Sequence, residues 1–193
     1  MSDPIVPSRR VALLRGINVG GRNRLPMADL RAVLGSIGLV GVRTHIQSGN
    51  VVFDVDVGVE RESPLANDAE LAIAISNAVR RSTSLDVKVV VLPLDQLAAI
   101  ATSHPDDGGD IPPNHLHVFV LDGDADPDAA PASDQFEPDR FSVGDREVYV
   151  TYPGGSARSK LTIDVFERAF ARTATARNLN TIRKIVALGV VDP

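Results

Sequence analysis

The sequence predicts an α+β fold made of two tandem ferredoxin-like (split β-α-β) subdomains, the second with an extra C-terminal helix. Apolar runs and segments of helical periodicity follow the order β-α-β-β-α-β in the first half. The second half gives β-x-β-β-α-β-α, where x is an acidic, Pro-containing stretch. Each half also holds two adjacent strands joined by a Gly-containing turn. We therefore predict subdomains over 9–103 and 115–189, joined by an acidic linker over 104–114.

Apolar spacing defines the elements of the first half. The only residues between its second and third strands are Ser48-Gly49, which predicts a two-residue hairpin turn. Asn67 followed by Glu70 resembles a capping box before a long helix. The predicted strands cover 11–17, 42–47, 50–55 and 87–92. One predicted helix has Pro26 in its first turn, and two others cover 68–81 and 94–101.

The second half is defined in the same way. Gly144-Asp145 separates two strands and predicts a second hairpin, and Asn180 or Thr181 would cap the last helix. Residues 122–139 read as a solvated loop with one short helix over 133–136. The predicted strands cover 116–121, 140–143, 146–152 and 174–178, and apolar residues between 161 and 170 mark the remaining helix.

Composition excludes several kinds of chemistry. The chain has 193 residues and no cysteine, which removes disulfides, thiol nucleophiles, iron–sulfur clusters and cysteine–zinc sites. No apolar run is long enough for a membrane span, and no secretory leader is recognisable, so we expect a cytoplasmic protein with no membrane partner. The net charge of −5 conceals an asymmetry, because residues 104–139 hold ten acids and no Lys or Arg. The remainder is basic.

Topology predicts which loops meet. In the ferredoxin-like strand order 4-1-3-2, strands one and two are parallel, and so are strands three and four. The loop after strand one, residues 15–23, should therefore lie beside the turn 47–50. In the second half, the Gly-rich segment 152–160 should lie beside the end of the last strand, at 177–178.

Both loop clusters combine glycine, arginine and amide side chains. Glycines expose backbone N–H groups, and arginine grips phosphate or carboxylate with two hydrogen bonds. Turn formation, helix capping and solvated surface charge would explain the same residues without a ligand. The candidate ligand-binding residues are Arg15, Gly16, Asn18, Gly20, Gly21, Arg22, Asn23, Gln47, Ser48, Gly49, Asn50, Gly155, Arg158, Ser159, Lys160, Arg177, Asn178 and Asn180.

Other motifs are weaker. The segment 154–160 reads as strand, Gly-rich loop and helix start, which favours anions, but no glycine precedes Lys160 and a true P-loop is not predicted. His115 and His117 share a strand face, yet they lack a third ligand. We predict no metal and no cofactor, and no nucleophile–base pair identifies a catalytic residue.

Four segments resemble the bacterial domain-of-unknown-function family numbered 1697. They are ALLRGINVGGRNRLPMADLRAVL, THIQSGNVVF, ARSKL and TARNLNTIRKI, and the resemblance covers about residues 9–189. The chain departs from the family's usual pattern at Arg22, His45, Ala157, Ala176 and Leu179, the last of which replaces an aromatic residue. The resemblance implies an α+β fold with ferredoxin-like parts and no established activity.

Three functions of different classes remain open. The leading hypothesis is binding of a phosphorylated or otherwise anionic small molecule, such as a nucleotide, with catalysis undecided. A second is RNA or DNA binding, which is poorly supplied with stacking aromatics because Phe53 alone lies near a suitable sheet. A third is a structural or interaction module without catalysis, such as a homodimer.

Overall fold

The computed structural model describes residues 8–21, 23–55 and 67–190, which form eight strands and five α-helices. The first half contains β1 (Ser8–Leu14), α1 (Met27–Ser36), β2 (Val40–His45), β3 (Asn50–Val55), α2 (Asp68–Thr83), β4 (Val89–Pro93) and α3 (Leu94–Thr102). The second half contains β5 (Leu116–Leu121), β6 (Arg140–Val143), β7 (Glu147–Thr151), α4 (Ile163–Phe170), β8 (Ala174–Asn178) and α5 (Leu179–Val190). Short 3₁₀ turns lie at Pro127–Ala129, Ser133–Phe136 and Ser156–Arg158.

The chain divides into two compact units. One comprises residues 1–97 with 185–193, and the other comprises residues 98–184. The division falls within α3, after Leu97, and within α5, before Ile185.

The first unit has the predicted sheet. Its strand order is β2-β3-β1-β4, and every neighbouring pair is antiparallel. Since β1 and β2 both run against β3, they are parallel to each other, and the loops that follow them open at the same edge. Asn67 caps α2, because its side-chain oxygen accepts a hydrogen bond from Glu70 N–H at 2.9 Å.

The second unit repeats this arrangement with the order β6-β7-β5-β8, again antiparallel throughout. The carboxyl ends of β7 and β8 therefore lie at one edge, where Leu116 pairs with Thr151 and His117 pairs with Asn178. The α+β class and the tandem ferredoxin-like architecture are confirmed.

Each unit has a core between one sheet face and its helices. In the first unit, Phe53 is fully buried in this core with Leu14, Leu30 and Ile75. In the second unit, the core contains the aromatic residues Phe119, Phe166, Phe170 and Tyr152. The opposite face of the first sheet is also buried, at Val11, Leu13, Val52 and Val90, and so is that of the second sheet at Val118 and Val120.

Several predicted boundaries are wrong for identifiable reasons. The first strand ends at Leu14 rather than residue 17, because the chain bends from Arg15 while Ile17 still turns into the core. The strand also starts earlier, at Ser8. Its polar beginning is stabilised by ion pairs that join Arg9 to Asp54 and Arg10 to Asp68.

The prediction of a two-residue turn at Ser48-Gly49 is also wrong. His45 pairs with Asn50, so the loop between β2 and β3 contains four residues, 46–49. Ile46 adopts a left-handed backbone with φ 49°, which ends β2 two residues earlier than predicted.

The last helix begins at Leu179, and its cap is neither Asn180 nor Thr181. Asn178 supplies the cap, because its Oδ1 accepts from Thr181 N–H at 2.9 Å. None of the helices in the described part of the chain is long and apolar enough to cross a membrane.

Candidate loop sites at the sheet edges

The loop after β1 and the turn after β2 are joined by hydrogen bonds at one edge of the first sheet. We call residues 15–21 and 23 together with the turn 46–49 the first loop site. Leu14 N–H donates to Gly49 O at 2.8 Å, and Arg15 N–H donates to Lys88 O at 2.9 Å. Three segments that are distant in sequence therefore meet here, as the topology predicts.

Asn18 is the main connection between the two loops. Its Nδ2 donates to Leu25 O at 2.8 Å and to Gln47 O at 2.7 Å, while its Oδ1 accepts from Leu25 N–H at 2.8 Å. Its backbone N–H also donates to Asn23 O at 3.0 Å. Asn18 adopts φ 54°, a left-handed conformation that asparagine tolerates well. Its amide therefore builds the loop.

Two other asparagines have similar structural roles. Asn23 adopts φ 50°, and its Nδ2 donates to Gly16 O at 3.0 Å. Asn50 is fully buried and donates to His45 O at 3.1 Å and to Ser48 Oγ at 2.9 Å, which closes the turn. The sequence predicts these amides as ligand contacts; in the structure their Nδ2 groups donate to loop carbonyls and, for Asn50, also to the Ser48 hydroxyl.

The glycines of the site fall into two groups. Gly49 is buried at φ 74°, and a Cβ added there would lie 2.7 Å from Leu14 Cβ and 2.9 Å from Ile17 Cδ1. Gly20 and Gly21 are exposed at φ 57° and 75°, with nothing within 4 Å of an added Cβ. Gly49 thus allows the turn to approach β1, while Gly20 and Gly21 present bare backbone to solvent.

The remaining candidates of this site differ in exposure. Arg15 is half-buried, whereas Gly16 and Gln47 are exposed. Val19 and Ile46 flank the Asn18–Gln47 hydrogen bond, and their side chains are 63% and 54% exposed. The predicted contact Arg22 lies outside the described residues.

At the second unit, the segment 153–160 together with 177–180 and His115 forms the second loop site. Tyr152 N–H donates to His115 O at 3.0 Å, and Gly155 N–H donates to Tyr152 O at 2.9 Å. Gly155 adopts φ 82° and ψ 156°, a region that is essentially reserved for glycine. An added Cβ there would lie 3.7 Å from His115 Nε2, so this histidine borders the Gly-rich loop.

The helix start predicted at the end of the segment 154–160 is wrong. Residues 156–158 form a 3₁₀ turn, and α4 begins only at Ile163, so Lys160 does not belong to its first turn. Ser159 Oγ accepts from Leu161 N–H at 2.9 Å, and the buried Tyr152 hydroxyl donates to Leu161 O at 2.7 Å. These bonds hold an irregular segment before the helix. Arg158, Lys160 and Asn180 are exposed, and Ser159 is half-buried.

Arg177 and Asn178 lie on opposite faces of the second sheet, since successive strand residues alternate. Ala174 and Ala176 pack in the helix-side core, and Asn178 shares their face. Arg177 shares the other face with Thr175, to whose Oγ1 its Nη1 donates at 2.9 Å. Burial lowers the pKa of Arg177 to about 10, so it is still protonated at neutral pH.

Sequence reasoning missed a polar cluster at this same edge, on the Arg177 face. Asp106 Oδ2 accepts from Thr151 Oγ1 at 2.5 Å, and the Asp106 carboxylate accepts from Arg140 Nε and Nη2 at 3.0 and 3.1 Å. The hydrogen bonds from Arg140 are the main cause of the lowered pKa of Asp106. Buried His104 stands edge-on to Tyr149, with their ring centroids 5.4 Å apart.

Burial sets the protonation of two members of this cluster. It lowers the pKa of His104, which is therefore neutral near pH 7, and it raises the pKa of Tyr149. Asp106 N–H donates to His104 Nδ1 at 3.3 Å, and Nε2 lies 3.4 Å from Val150 O, so we assign the proton to Nε2. The only sequence signal for the cluster was the acidic segment after α3, because its pairing with β6 and β7 is long-range.

The two strand histidines do not form a metal centre with other residues. Nε2 of His117 lies 3.2 Å from Asn114 O, and its ring is edge-on to Tyr152. Across residues 8–21, 23–55 and 67–190, no group of three or more His, Cys, Asp or Glu side chains could hold a metal ion.

These features define a tandem ferredoxin-like protein with an asparagine-built, Gly-rich loop site at the edge of its first sheet. The family model described as "Protein of unknown function (DUF1697)" matches residues 8–149, and the chain belongs to this family. The matched range contains the first two of the four resembling segments and confirms the predicted family.

Comparison with solved structures supports the same fold. The structure of the conserved bacterial protein SP0830 from Streptococcus pneumoniae is similar with a TM-score of 0.70. The match covers 95% of this chain and 99% of that chain at 21% sequence identity. No curated protein matches this chain.

Proposed function

We propose that this protein binds an anionic small molecule, phosphorylated or carboxylated, through its Gly-, Arg- and Asn-rich loops. One observation carries the proposal: Asn18 fastens the loop after β1 to the turn after β2 with three side-chain hydrogen bonds. A loop held in this way keeps its backbone N–H groups in place before a ligand arrives. Binding then loses less conformational entropy, because the loop is already ordered.

The geometry of the first loop site supports an anion. Gly20 and Gly21 are consecutive, exposed and left-handed, and backbone N–H groups in such turns form concave anion sites. The half-buried Arg15 lies at the base of the same loop and adds positive charge. Nucleic-acid binding by base stacking on the sheet is less well supported, since Phe53 is fully buried.

Thermal unfolding with a ligand panel tests the proposal. Pyrophosphate, ATP, a sugar phosphate and the dicarboxylate succinate are compared with adenosine and with chloride at matched ionic strength. A ligand at 100 times its Kd stabilises the folded state by about 2.7 kcal/mol, which is readily visible as a rise in Tm. If no phosphorylated or carboxylated compound raises Tm above the chloride control, the proposal is wrong.

Two matched variants locate the site. Gly21→Ala and Gly38→Ala both place a side chain at positive φ, 75° and 87°, in otherwise open space. Both should lower the ligand-free Tm to a similar extent. Only Gly21→Ala should reduce the ligand-induced rise in Tm. Equal ligand responses in the two variants would contradict a site at this loop.

A further inference from the structure

We propose that a groove in the second unit, between the segment 105–111 and strands β6 and β7, binds a small monocarboxylate with an apolar body. Arg140 would hold the carboxylate. This groove is distinct from the residues of the first loop site, and the proposal does not depend on the function proposed above.

The groove consists of two adjoining cavities that share Pro105, Asp106 and Arg140. The first has a volume of about 170 Å³, and the second has a volume of about 420 Å³. Phe141 and Tyr149 line the first cavity, and Ile111 lines the second. A cavity of about 150 Å³ accepts benzene, so the first cavity has room for one ring or a branched aliphatic group.

Arg140 has one guanidinium edge engaged and one available. Its Nε and Nη2 donate to the two oxygens of Asp106, so the carboxylate takes the side-on edge. No residue in the described ranges accepts a hydrogen bond from Arg140 Nη1, and the Arg140 side chain is 54% exposed. The Nη1–Nη2 edge can therefore receive a second carboxylate with two parallel hydrogen bonds.

Asp106 and Thr151 fix the orientation of the Arg140 guanidinium. The Thr151 hydroxyl, on a residue only 2% exposed, donates to Asp106 Oδ2 and holds the carboxylate that in turn holds Arg140. A ligand that binds Arg140 therefore meets a donor pair already in position. Preorganisation of this kind favours binding because less side-chain entropy is lost.

Charge favours a monoanion over a phosphate. The larger cavity is lined by Asp106, Asp107 and Asp110, and Arg140 is the cation among its lining residues. A phosphate dianion would face stronger repulsion from these carboxylates than a carboxylate would. The apolar lining by Pro105 and Phe141 suits the rest of a ligand such as benzoate.

An NMR titration of ¹⁵N-labelled full-length protein tests the proposal with three probes. Benzoate has the required charge and ring, benzyl alcohol removes the charge, and phenyl phosphate supplies a dianion. Benzoate should shift the amide signals of 105–111 and 140–142 with a millimolar Kd. Benzyl alcohol and phenyl phosphate should bind more weakly. Absence of benzoate shifts in these segments, or equal binding of benzyl alcohol, would overturn the proposal.

Arginine variants provide the matched comparison. Arg140→Gln should weaken benzoate binding by about 10- to 100-fold, since hydrogen bonds to a charged group are lost. Arg140→Lys keeps a cation near Asp106 but lacks the planar fork, and it should also bind more weakly. Arg168 is exposed on α4 and does not line the groove, so Arg168→Gln should bind benzoate like the unmodified protein. If Arg140→Gln fails to fold, Arg140→Lys decides the question, and unchanged binding in that variant would refute the proposal.

Discussion

Gly49→Ala should strongly destabilise the first unit, because this glycine lies where the turn after β2 presses against β1. The new Cβ would lie 2.7 Å from Leu14 Cβ and 2.9 Å from Ile17 Cδ1, closer than real Cβ contacts occur. The backbone there has φ 74°, which an alanine adopts only with strain. Both effects act on the folded state.

The size of the effect follows from three contributions. Left-handed strain costs about 1–2 kcal/mol. Overpacking a filled site costs about 1–3 kcal/mol. The reduced entropy of the unfolded chain offsets these by up to about 1 kcal/mol. The net loss in the free energy of unfolding should be roughly 2–4 kcal/mol, a large part of the 5–15 kcal/mol typical of a folded protein.

Urea unfolding followed by circular dichroism measures this loss, with Gly38→Ala as the control. Gly38 has φ 87° but nothing within 4 Å of an added Cβ, so it carries the strain without the clash. The control should lose about 1 kcal/mol. Amide exchange at Leu14, whose N–H donates to Gly49 O, should accelerate in Gly49→Ala. Equal free energies of unfolding for the two variants would refute the role assigned to this close approach.

Four further outcomes are expected. Asn18→Ala should lower the free energy of unfolding by about 2–3 kcal/mol in urea titrations, because three side-chain hydrogen bonds worth about 1 kcal/mol each are lost. Ile46→Asn should raise Tm, because asparagine tolerates the φ of 49° that strains a β-branched residue. Burial lowers the pKa of His104, so the folded state binds fewer protons, and stability should fall as pH drops through about 6.5; an NMR pH titration of the His104 ring should give a midpoint below 6.5. Tyr152→Phe should cost about 1–3 kcal/mol in thermal unfolding, since it leaves the buried carbonyl of Leu161 without its hydrogen bond.

The strand order could be predicted from the sequence because it depends on local patterns and chain connectivity. Strands over 50–55, 116–121, 140–143 and 174–178 match the predicted ranges, since these segments combine strand-length spacing with clear turn residues. The rules for crossover connections then restrict how four such strands can be ordered.

The ends of β1 could not be predicted because long-range contacts determine them. Ile17 continues the apolar run of β1, yet it is apolar because it enters the core from a bend, not because it belongs to the strand. The polar residues Arg9 and Arg10 belong to the strand because Asp54 and Asp68 neutralise them across the fold. Apolar periodicity reports burial, which coincides with secondary structure only inside regular elements.

The location of the first loop site was predictable, but the roles of its residues were not. Asparagine is common both in ligand sites and in left-handed turns, and sequence alone does not separate the two. The structure separates them through hydrogen-bond partners: Asn18 donates to two loop carbonyls, and Asn23 donates to one. The missed cluster around Asp106 required the pairing of a linker with β7, which no local pattern encodes.

The structural roles of Asn18 and Asn23 limit which groups of the first loop site could serve the proposed function. Because the donors of Asn18 and Asn23 bond loop carbonyls, the contacts proposed for an anion are the exposed backbone of Gly20 and Gly21 and the positive charge of Arg15. Such groups bind charge with little regard for the rest of a ligand. Selectivity among anions would then depend on the exposed side chains of the loop and the turn, such as Val19 and Ile46. Ile46 has a strained, left-handed backbone with φ 49°, and it is 54% exposed. This strain lowers the stability of the free protein by about 1–2 kcal/mol. If it is retained for an apolar contact with the ligand, Ile46→Asn should raise Tm and weaken binding together, the trade-off expected when a site is built at the expense of stability.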